Sequence, residues 1–237
     1  MKLSIILPAY NESTVIVATI SSILAYVEQF FSSDYELIVV DDGSNDETSR
    51  LVAEHFTTQA RVIAHTTNLG KGAAVRSGML AAQGDFALFM DADNSTEINH
   101  LTAFFPALDQ ADIVIGSRAI KGADVALAQK SWKQTLGRLG NWLIQSILQL
   151  PVSDTQCGFK LFRVATTRQL FIKQRRQDWA FDFEVLYLAK MRGLKIIELP
   201  VRWVNNFDSK VTAWGYLTTL MAVFSVKYHY WKGDYTL

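Results

Sequence analysis

The sequence predicts an α/β fold: a Rossmann-like, mostly parallel sheet flanked by helices. Two observations carry this. In the first half of the chain, short and continuously apolar runs alternate with helical patterns, and several of these runs stop abruptly at clusters of Asp, Asn, Gly and Ser. Continuous apolar runs of about five residues are the signature of strands buried on both faces. Repeated strand–helix–strand units with right-handed crossovers build a parallel sheet. With 237 residues, 49% of them hydrophobic, the chain is long enough for one such domain with a sizeable core.

In chain order, residues 2–7 read as the first strand and 14–30 as a helix. Glu36-Leu37-Ile38-Val39-Val40 is a second strand, followed by a helix over 46–56 with Asp46 as its N-cap. Residues 61–65 are a third strand, 71–82 a helix of small residues, 86–90 a fourth strand, 97–108 a helix and 112–116 a fifth strand. After Arg118 the rhythm changes. Residues 130–150 form one long helical pattern with Trp132, Leu136, Leu139, Trp142, Leu143, Ile147 and Leu150. Residues 159–162 are short and strand-like, 183–192 helical, and 195–204 a strand. Residues 213–231 are aromatic-rich but polar toward their end. A spanning helix needs about 20 predominantly apolar residues, so this segment reads as an amphipathic helix lying on the domain or in a membrane interface. Pro, Gly and Ser are concentrated nowhere, so the chain reads as a single domain over 1–237, divided naturally into 1–118, 119–212 and a C-terminal helix over 213–237.

Lys plus Arg and Asp plus Glu each number 23, which argues against a nucleic-acid partner, since such proteins carry a basic excess. Cys157 stands alone, so there is no internal disulfide and no Cys/His set spaced for zinc. These features point to a cytoplasmic protein. His55, His65, His100 and His229 are scattered and read as structural.

In an open parallel sheet, ligands bind beyond the carboxyl ends of the strands. Four polar clusters fall there: Pro8-Ala9-Tyr10-Asn11-Glu12, Asp41-Asp42-Gly43-Ser44, Asp91-Ala92-Asp93 and Gly116-Ser117-Arg118. Two carboxylates one residue apart repel each other, and a hard divalent cation such as Mg²⁺ or Mn²⁺ removes that cost. Alone, Asp91-Ala92-Asp93 also reads as a solvated turn; its place after Phe86-Ala87-Leu88-Phe89-Met90 shifts the balance toward metal. Asp41 and Asp42 read equally as an ordinary strand-to-helix turn or as acceptors for nucleotide N–H and O–H groups. Asn68-Leu69-Gly70-Lys71-Gly72 opens a helix, where backbone N–H groups attract phosphate; a Gly-assisted turn with a solvated lysine is the plainer alternative. It has neither P-loop nor dinucleotide-fingerprint spacing.

These motifs, in this order, resemble the family 2 inverting glycosyltransferases of GT-A fold. Gly116-Ser117-Arg118, the segment Asp154-Thr155-Gln156-Cys157-Gly158-Phe159-Lys160-Leu161-Phe162 and Phe181-Asp182-Phe183-Glu184 narrow the likeness to the polyprenyl- or dolichyl-phosphate sugar synthases, the β-glucosyl group above all. The resemblance implies a nucleotide-sugar donor, UDP-glucose in that group, held by residues 1–118, and a polyprenyl or dolichyl phosphate acceptor held by 119–212. It places Pro8, Tyr10, Asn11, Glu12, Asp41, Asp42, Gly43, Asn68, Gly70, Lys71, Gly72, Ala92 and Gln156 around the donor, and Asp91 and Asp93 on the metal. In the mannosyl branch a glutamine two positions after the second aspartate also binds metal; here that position is Ser95. Arg118, Arg138, Lys160 and Lys210 are the candidates for the acceptor phosphate, because arginine suits phosphate bidentately. A phosphate acceptor is already ionised and needs little general base. Asp182 or Glu184 would supply one for a glycan hydroxyl acceptor, and both also read as helix-start residues. Besides that transferase, a non-catalytic nucleotide- or lipid-binding domain and a nucleotidyltransferase share the architecture.

All six tryptophans, Trp132, Trp142, Trp179, Trp203, Trp214 and Trp231, lie beyond residue 118, interleaved with Lys130, Lys133, Arg138, Lys173, Arg175 and Arg176. They read either as core or as a surface for peripheral attachment to the cytoplasmic face of a membrane.

Overall fold

The computed structural model describes residues 2–31, 34–126, 131–204 and 213–235, with backbone alone for 131–136, 138, 213–217, 219 and 220. Nine strands and eight α-helices follow one another among them, alternating strictly as far as β5: β1 (Leu3–Ala9), α1 (Ile16–Phe31), β2 (Tyr35–Asp41), α2 (Thr48–His55), β3 (Ala60–Ala64), α3 (Lys71–Ala81), β4 (Phe86–Met90), α4 (Leu101–Ala107), β5 (Ile113–Ser117), β6 (Asp124–Ala126), α5 (Ser131–Leu148), β7 (Phe159–Arg163), α6 (Val164–Lys173), α7 (Phe181–Met191), β8 (Ile196–Pro200), β9 (Arg202–Val204) and α8 (Ala213–Trp231). A single 3₁₀ turn, Ile98–His100, leads into α4.

Seven strands form one sheet in the order β3-β2-β1-β4-β7-β5-β8, and β6 pairs with β9 in a small second sheet. All pairings are parallel except those of β7, which runs antiparallel between β4 and β5. Side chains alternate across the sheet, as a period of two requires. Ile6, Ile38, Val40, Phe89, Ile113 and Phe162 face a core shared with α3, α6, α7 and α8. Leu7, Val39, Leu88, Val114 and Leu161 face the core under α1 and α4. In α1, Ile16, Ile20, Ile23, Leu24 and Val27 repeat at helical spacing and are all buried.

Several elements depart from expectation. The strand expected over 195–204 is two strands. Pro200 ends β8 in register with Ser117, and proline has no N–H with which to extend a ladder. The chain then turns at buried Val201 and β9 pairs with β6 instead. α6 follows β7 with no break, a helix the sequence patterns did not reveal. Asp46 lies two residues before the start of α2, one before the capping position Glu47: its carboxylate accepts from the Thr48 N–H at 3.0 Å. α8 is apolar on both sides, not only one. Ala222, Val223 and Val226 are buried, whereas Met221, Phe224, Tyr228 and Trp231 are exposed along the opposite stripe. Among the described residues no helix is long and apolar enough to cross a membrane.

Candidate active site

The parallel register brings the ends of β1 and β2 side by side, with Ala9 opposite Asp41. The loops beyond them are stitched together. Asn11, at φ 55°, donates its N–H to Ser44 Oγ at 2.9 Å and accepts from the Asn45 N–H at 2.9 Å. Glu12 donates its N–H to Thr48 Oγ1 at 2.9 Å. Pro8 is buried within β1, Tyr10 is half-buried just past it, and Gly43 forms the bend after Asp42. Asp41 accepts from the Ser44 N–H at 3.0 Å.

Asp42 is used within the protein. Its Oδ1 bonds His65 Nδ1 at 2.7 Å and accepts from the Leu69 N–H at 3.0 Å, and Oδ2 accepts from the Gly70 N–H at 2.8 Å. His65 Nε2 in turn bonds Ser77 Oγ at 2.9 Å. Asp42 therefore fixes the turn Asn68-Leu69-Gly70, and that turn aims the residue that opens α3, Lys71.

The Lys71 ammonium lies 2.6 Å from Asp91 Oδ1, just beyond β4. The contact is a short, charge-assisted ion pair. The antiparallel β7 completes this corner. Met90 pairs with Phe159 and Phe89 with Lys160, which sets Gly158 opposite Asp91; the Asp91 N–H donates to the Gly158 carbonyl at 3.0 Å. A Cβ on Gly158 would sit 1.9 Å from Asp91 Oδ2. The missing side chain is the space in which the carboxylate lies. Asp93 accepts from the Ser95 N–H at 2.9 Å. Burial, then the neighbouring Asp91 charge, raises its pKa above the usual carboxylate range.

Deeper in, Lys160 and Asp182 form a buried pair at 2.5 Å, and the Lys160 ammonium also donates to the Cys157 carbonyl at 2.7 Å. Burial raises the Asp182 pKa against the pull of Lys160 and Lys71. Lys71 is held charged: Asp91 and Asp182 outweigh the cost of its burial. Burial pushes the Cys157 thiol up to about 12, so it is not a thiolate near neutral pH.

At the end of β5, Arg118 is gripped by Asp154. Its Nε and Nη2 donate to the two carboxylate oxygens at 2.7 and 3.0 Å, and its own N–H donates to Oδ2 at 3.0 Å. This leaves Nη1 outside the pair. The guanidinium carbon lies 5.3 Å from the Trp203 ring centre. Glu198 on β8 accepts from the Ser153 and Asp154 N–H groups at 2.6 and 2.9 Å, and Asn141 on α5 accepts from Thr155 Oγ1 at 2.8 Å. Although burial opposes it, Arg118 holds the Asp154 carboxyl below its ordinary pKa. A depressed folded-state pKa gives stability that is present above the unfolded value of about 4 and is lost as pH falls through the folded value. Asp154→Asn leaves the partly buried Arg118 without its partner and is expected to cost about 3 kcal/mol at pH 7. The gap from wild type should shrink below about pH 4. Urea unfolding of both proteins at several pH values checks this; a gap that does not change with pH contradicts it.

The structure does not bring every candidate to this cleft. Glu184 is fully buried and accepts from the Arg175 and Arg176 N–H groups at 3.1 and 2.9 Å and from Tyr235 Oη at 2.6 Å. Lys160 is 2% exposed and engaged by Asp182. Gln156 is half-buried beside Asp154, to which its N–H donates at 3.2 Å. Lys210 lies outside the described residues, and Arg138 is described by its backbone in α5. Sequence reasoning did not connect Asp154 with Arg118, or Gly158 with Asp91. Both links need the position of β7, for which the short run Phe159-Lys160-Leu161-Phe162-Arg163 gives no signal.

Residues 4–171 match the family model described as glycosyl transferase family 2. The chain is a family 2 glycosyltransferase. The transferase is 37% identical to the dolichyl-phosphate beta-glucosyltransferase of Drosophila melanogaster over all of its own length and 78% of that protein. The mannosyl-3-phosphoglycerate synthase of Rubrobacter xylanophilus superposes with a TM-score of 0.71 at 19% identity, over 100% of the transferase and 76% of that chain. The Mycobacterium tuberculosis glucosyl-3-phosphoglycerate synthase, solved with Mn²⁺, UDP and glucosyl-3-phosphoglycerate, superposes at 0.66 and 18% identity, over 95% and 78%. The likeness to these two structures shows the GT-A fold.

The donor set of the transferase fits a hard divalent cation. Asp91 and Asp93 stand one residue apart just past β4 with Lys71 as the nearby cation, and burial and the Asp91 charge together disfavour the charged form of Asp93, a cost a divalent cation would remove. No group of three or more His, Cys, Asp or Glu side chains is gathered among the described residues. Two carboxylates completed by diphosphate and water suit Mg²⁺ or Mn²⁺, not a four-ligand zinc site.

Proposed function

We propose that this transferase moves glucose, with inversion, from UDP-glucose to a dolichyl or polyprenyl phosphate, using Mg²⁺ or Mn²⁺ on Asp91 and Asp93. The observation that carries the reading is the acidic pair at the end of β4, one lysine away from a phosphate-attracting helix start, in a chain whose whole length matches a dolichyl-phosphate beta-glucosyltransferase. The bound cation would neutralise charge on the departing nucleoside diphosphate. Asp91 is positioned for it by Gly158 and balanced in its absence by Lys71. The loops after β1 and β2, with Tyr10 and Asp41, border the space for base and ribose. Arg118, anchored on one edge by Asp154, presents Nη1 to the acceptor phosphate. That phosphate attacks as an anion, so Asp182 need not take a proton, in keeping with its commitment to Lys160.

Label from UDP-glucose, GDP-mannose and UDP-N-acetylglucosamine, offered separately with dolichyl phosphate and Mn²⁺, is the direct test. Label from UDP-glucose should enter the organic extract; label carried instead by either of the other donors, or by none, contradicts the reading. Arg118→Ala should raise KM for the lipid phosphate by roughly 10- to 100-fold with little change in KM for the donor, since hydrogen bonds to charged groups contribute about 1.5–3 kcal/mol. An unchanged acceptor KM removes Arg118 from that role.

The exposed stripe Met221, Phe224, Tyr228 and Trp231 on α8 supports peripheral attachment to the membrane that carries such an acceptor. Deleting residues 213–237 is a poor test, because it also strips Ala222, Val223, Val226 and Tyr235 from the core. Phe224→Asp with Trp231→Asp leaves the core intact and should weaken co-sedimentation with anionic vesicles by about tenfold or more. Unchanged co-sedimentation contradicts the attachment.

A further inference from the structure

Trp179 is 50% exposed, yet the loop that carries it is held on both sides. The start of α3 packs directly on this loop. A Cβ at Gly70 would lie 2.5 Å from the Gln177 carbonyl oxygen, and one at Gly72 2.7 Å from that of Arg176 and 2.8 Å from that of Asp178. The Ala73 N–H donates to the Gln177 carbonyl at 3.2 Å. On the other flank, Gln174 Nε2 donates to the Gly72 and Arg176 carbonyls, both at 2.8 Å, and Glu184 takes the Arg175 and Arg176 N–H groups. Asp178 accepts from the Ala180 N–H at 3.1 Å. The loop therefore has a fixed address beside the acidic motif, and the Lys71 ammonium lies over the Trp179 ring, 4.5 Å from its centre, while it pairs with Asp91 Oδ1 at 2.6 Å.

A large ring kept half in water forgoes part of the stabilisation of burial; the Lys71 ammonium over it offsets some of that cost, and a ligand with an apolar face would offset more. A pyranose offers an apolar C–H face and a rim of hydroxyls. An aromatic face next to an ammonium matches both. We propose that Trp179 is the platform for the hexose of the donor, its ring taking the sugar's C–H face in place of the Lys71 ammonium, which moves to the rim to meet a hydroxyl. This rests on the reading that the donor diphosphate lies over Asp91 and Asp93, and adds which residue senses the sugar as distinct from the nucleotide.

The test is calorimetric binding of UDP-glucose and of UDP, each with Mn²⁺, to wild type, Trp179→Ala and Trp179→Phe, with thermal unfolding as the check on folding. Trp179→Ala should weaken UDP-glucose by about tenfold and UDP by less than about twofold, and Trp179→Phe should restore most of the loss. Equal weakening of both ligands, or of neither, overturns the inference. A wild-type protein that binds no UDP-glucose overturns it together with the donor reading. Glucose transfer by wild type, with full UDP-glucose affinity in Trp179→Ala, overturns the inference and leaves the donor reading standing.

Discussion

Asp93→Asn should lower sugar transfer by roughly 100- to 1000-fold, the effect of losing several kcal/mol of charge stabilisation on the departing diphosphate. The substitution keeps size and leaves an oxygen to accept from the Ser95 N–H, now 2.9 Å from Oδ1, so the fold should persist. It removes one of the two charges available to a cation. Steady-state rates at saturating Mn²⁺, with unfolding curves as a control, decide the matter. Near-normal turnover by a folded Asp93→Asn protein contradicts a metal role for this residue.

Gly158→Ala should be nearly as damaging, by about 100-fold, although it adds one methyl group and removes no charge. That methyl would fall 1.9 Å from Asp91 Oδ2 and 2.2 Å from Cγ, a separation no real pair of atoms keeps. The antiparallel ladder holds the backbone of β7 against β4, so the Asp91 carboxylate has to swing aside. A displacement of about 1 Å in a reacting constellation costs on the order of 100-fold. The measurement is turnover as a function of Mn²⁺ concentration: the variant should need far more metal, and a wild-type metal dependence contradicts the cradle.

How much of this was readable beforehand follows from the kind of strand involved. β1, β2, β4 and β5 are continuous apolar runs ended by polar clusters, and a parallel sheet puts such ends on one edge. Asp41, Asp91 and Arg118 could thus be assigned to that edge from the sequence. β7 is different. Phe159-Lys160-Leu161-Phe162-Arg163 has no feature that tells which strands it lies between or in which direction, yet its insertion sets Gly158 against Asp91 and sends Lys160 to Asp182. Lys160, expected at the acceptor phosphate, is 2% exposed and paired with Asp182. Asp42 left two readings open, and the long-range bonds to His65, Leu69 and Gly70 that occupy it have no local signature. Glu184 likewise reads as a helix-start acid, while its partners include Tyr235, 51 residues away.

Asp91 and Asp93 together would hold the divalent cation that offsets the charge of the donor diphosphate. Electron paramagnetic resonance of Mn²⁺ in the presence of UDP reads this directly, without reliance on any acceptor. Wild type should capture Mn²⁺ and broaden its six-line solution signal. The Asp91→Asn and Asp93→Asn proteins, folded but short of a ligand, should leave that signal largely free. Equal capture of Mn²⁺ by all three would contradict the account.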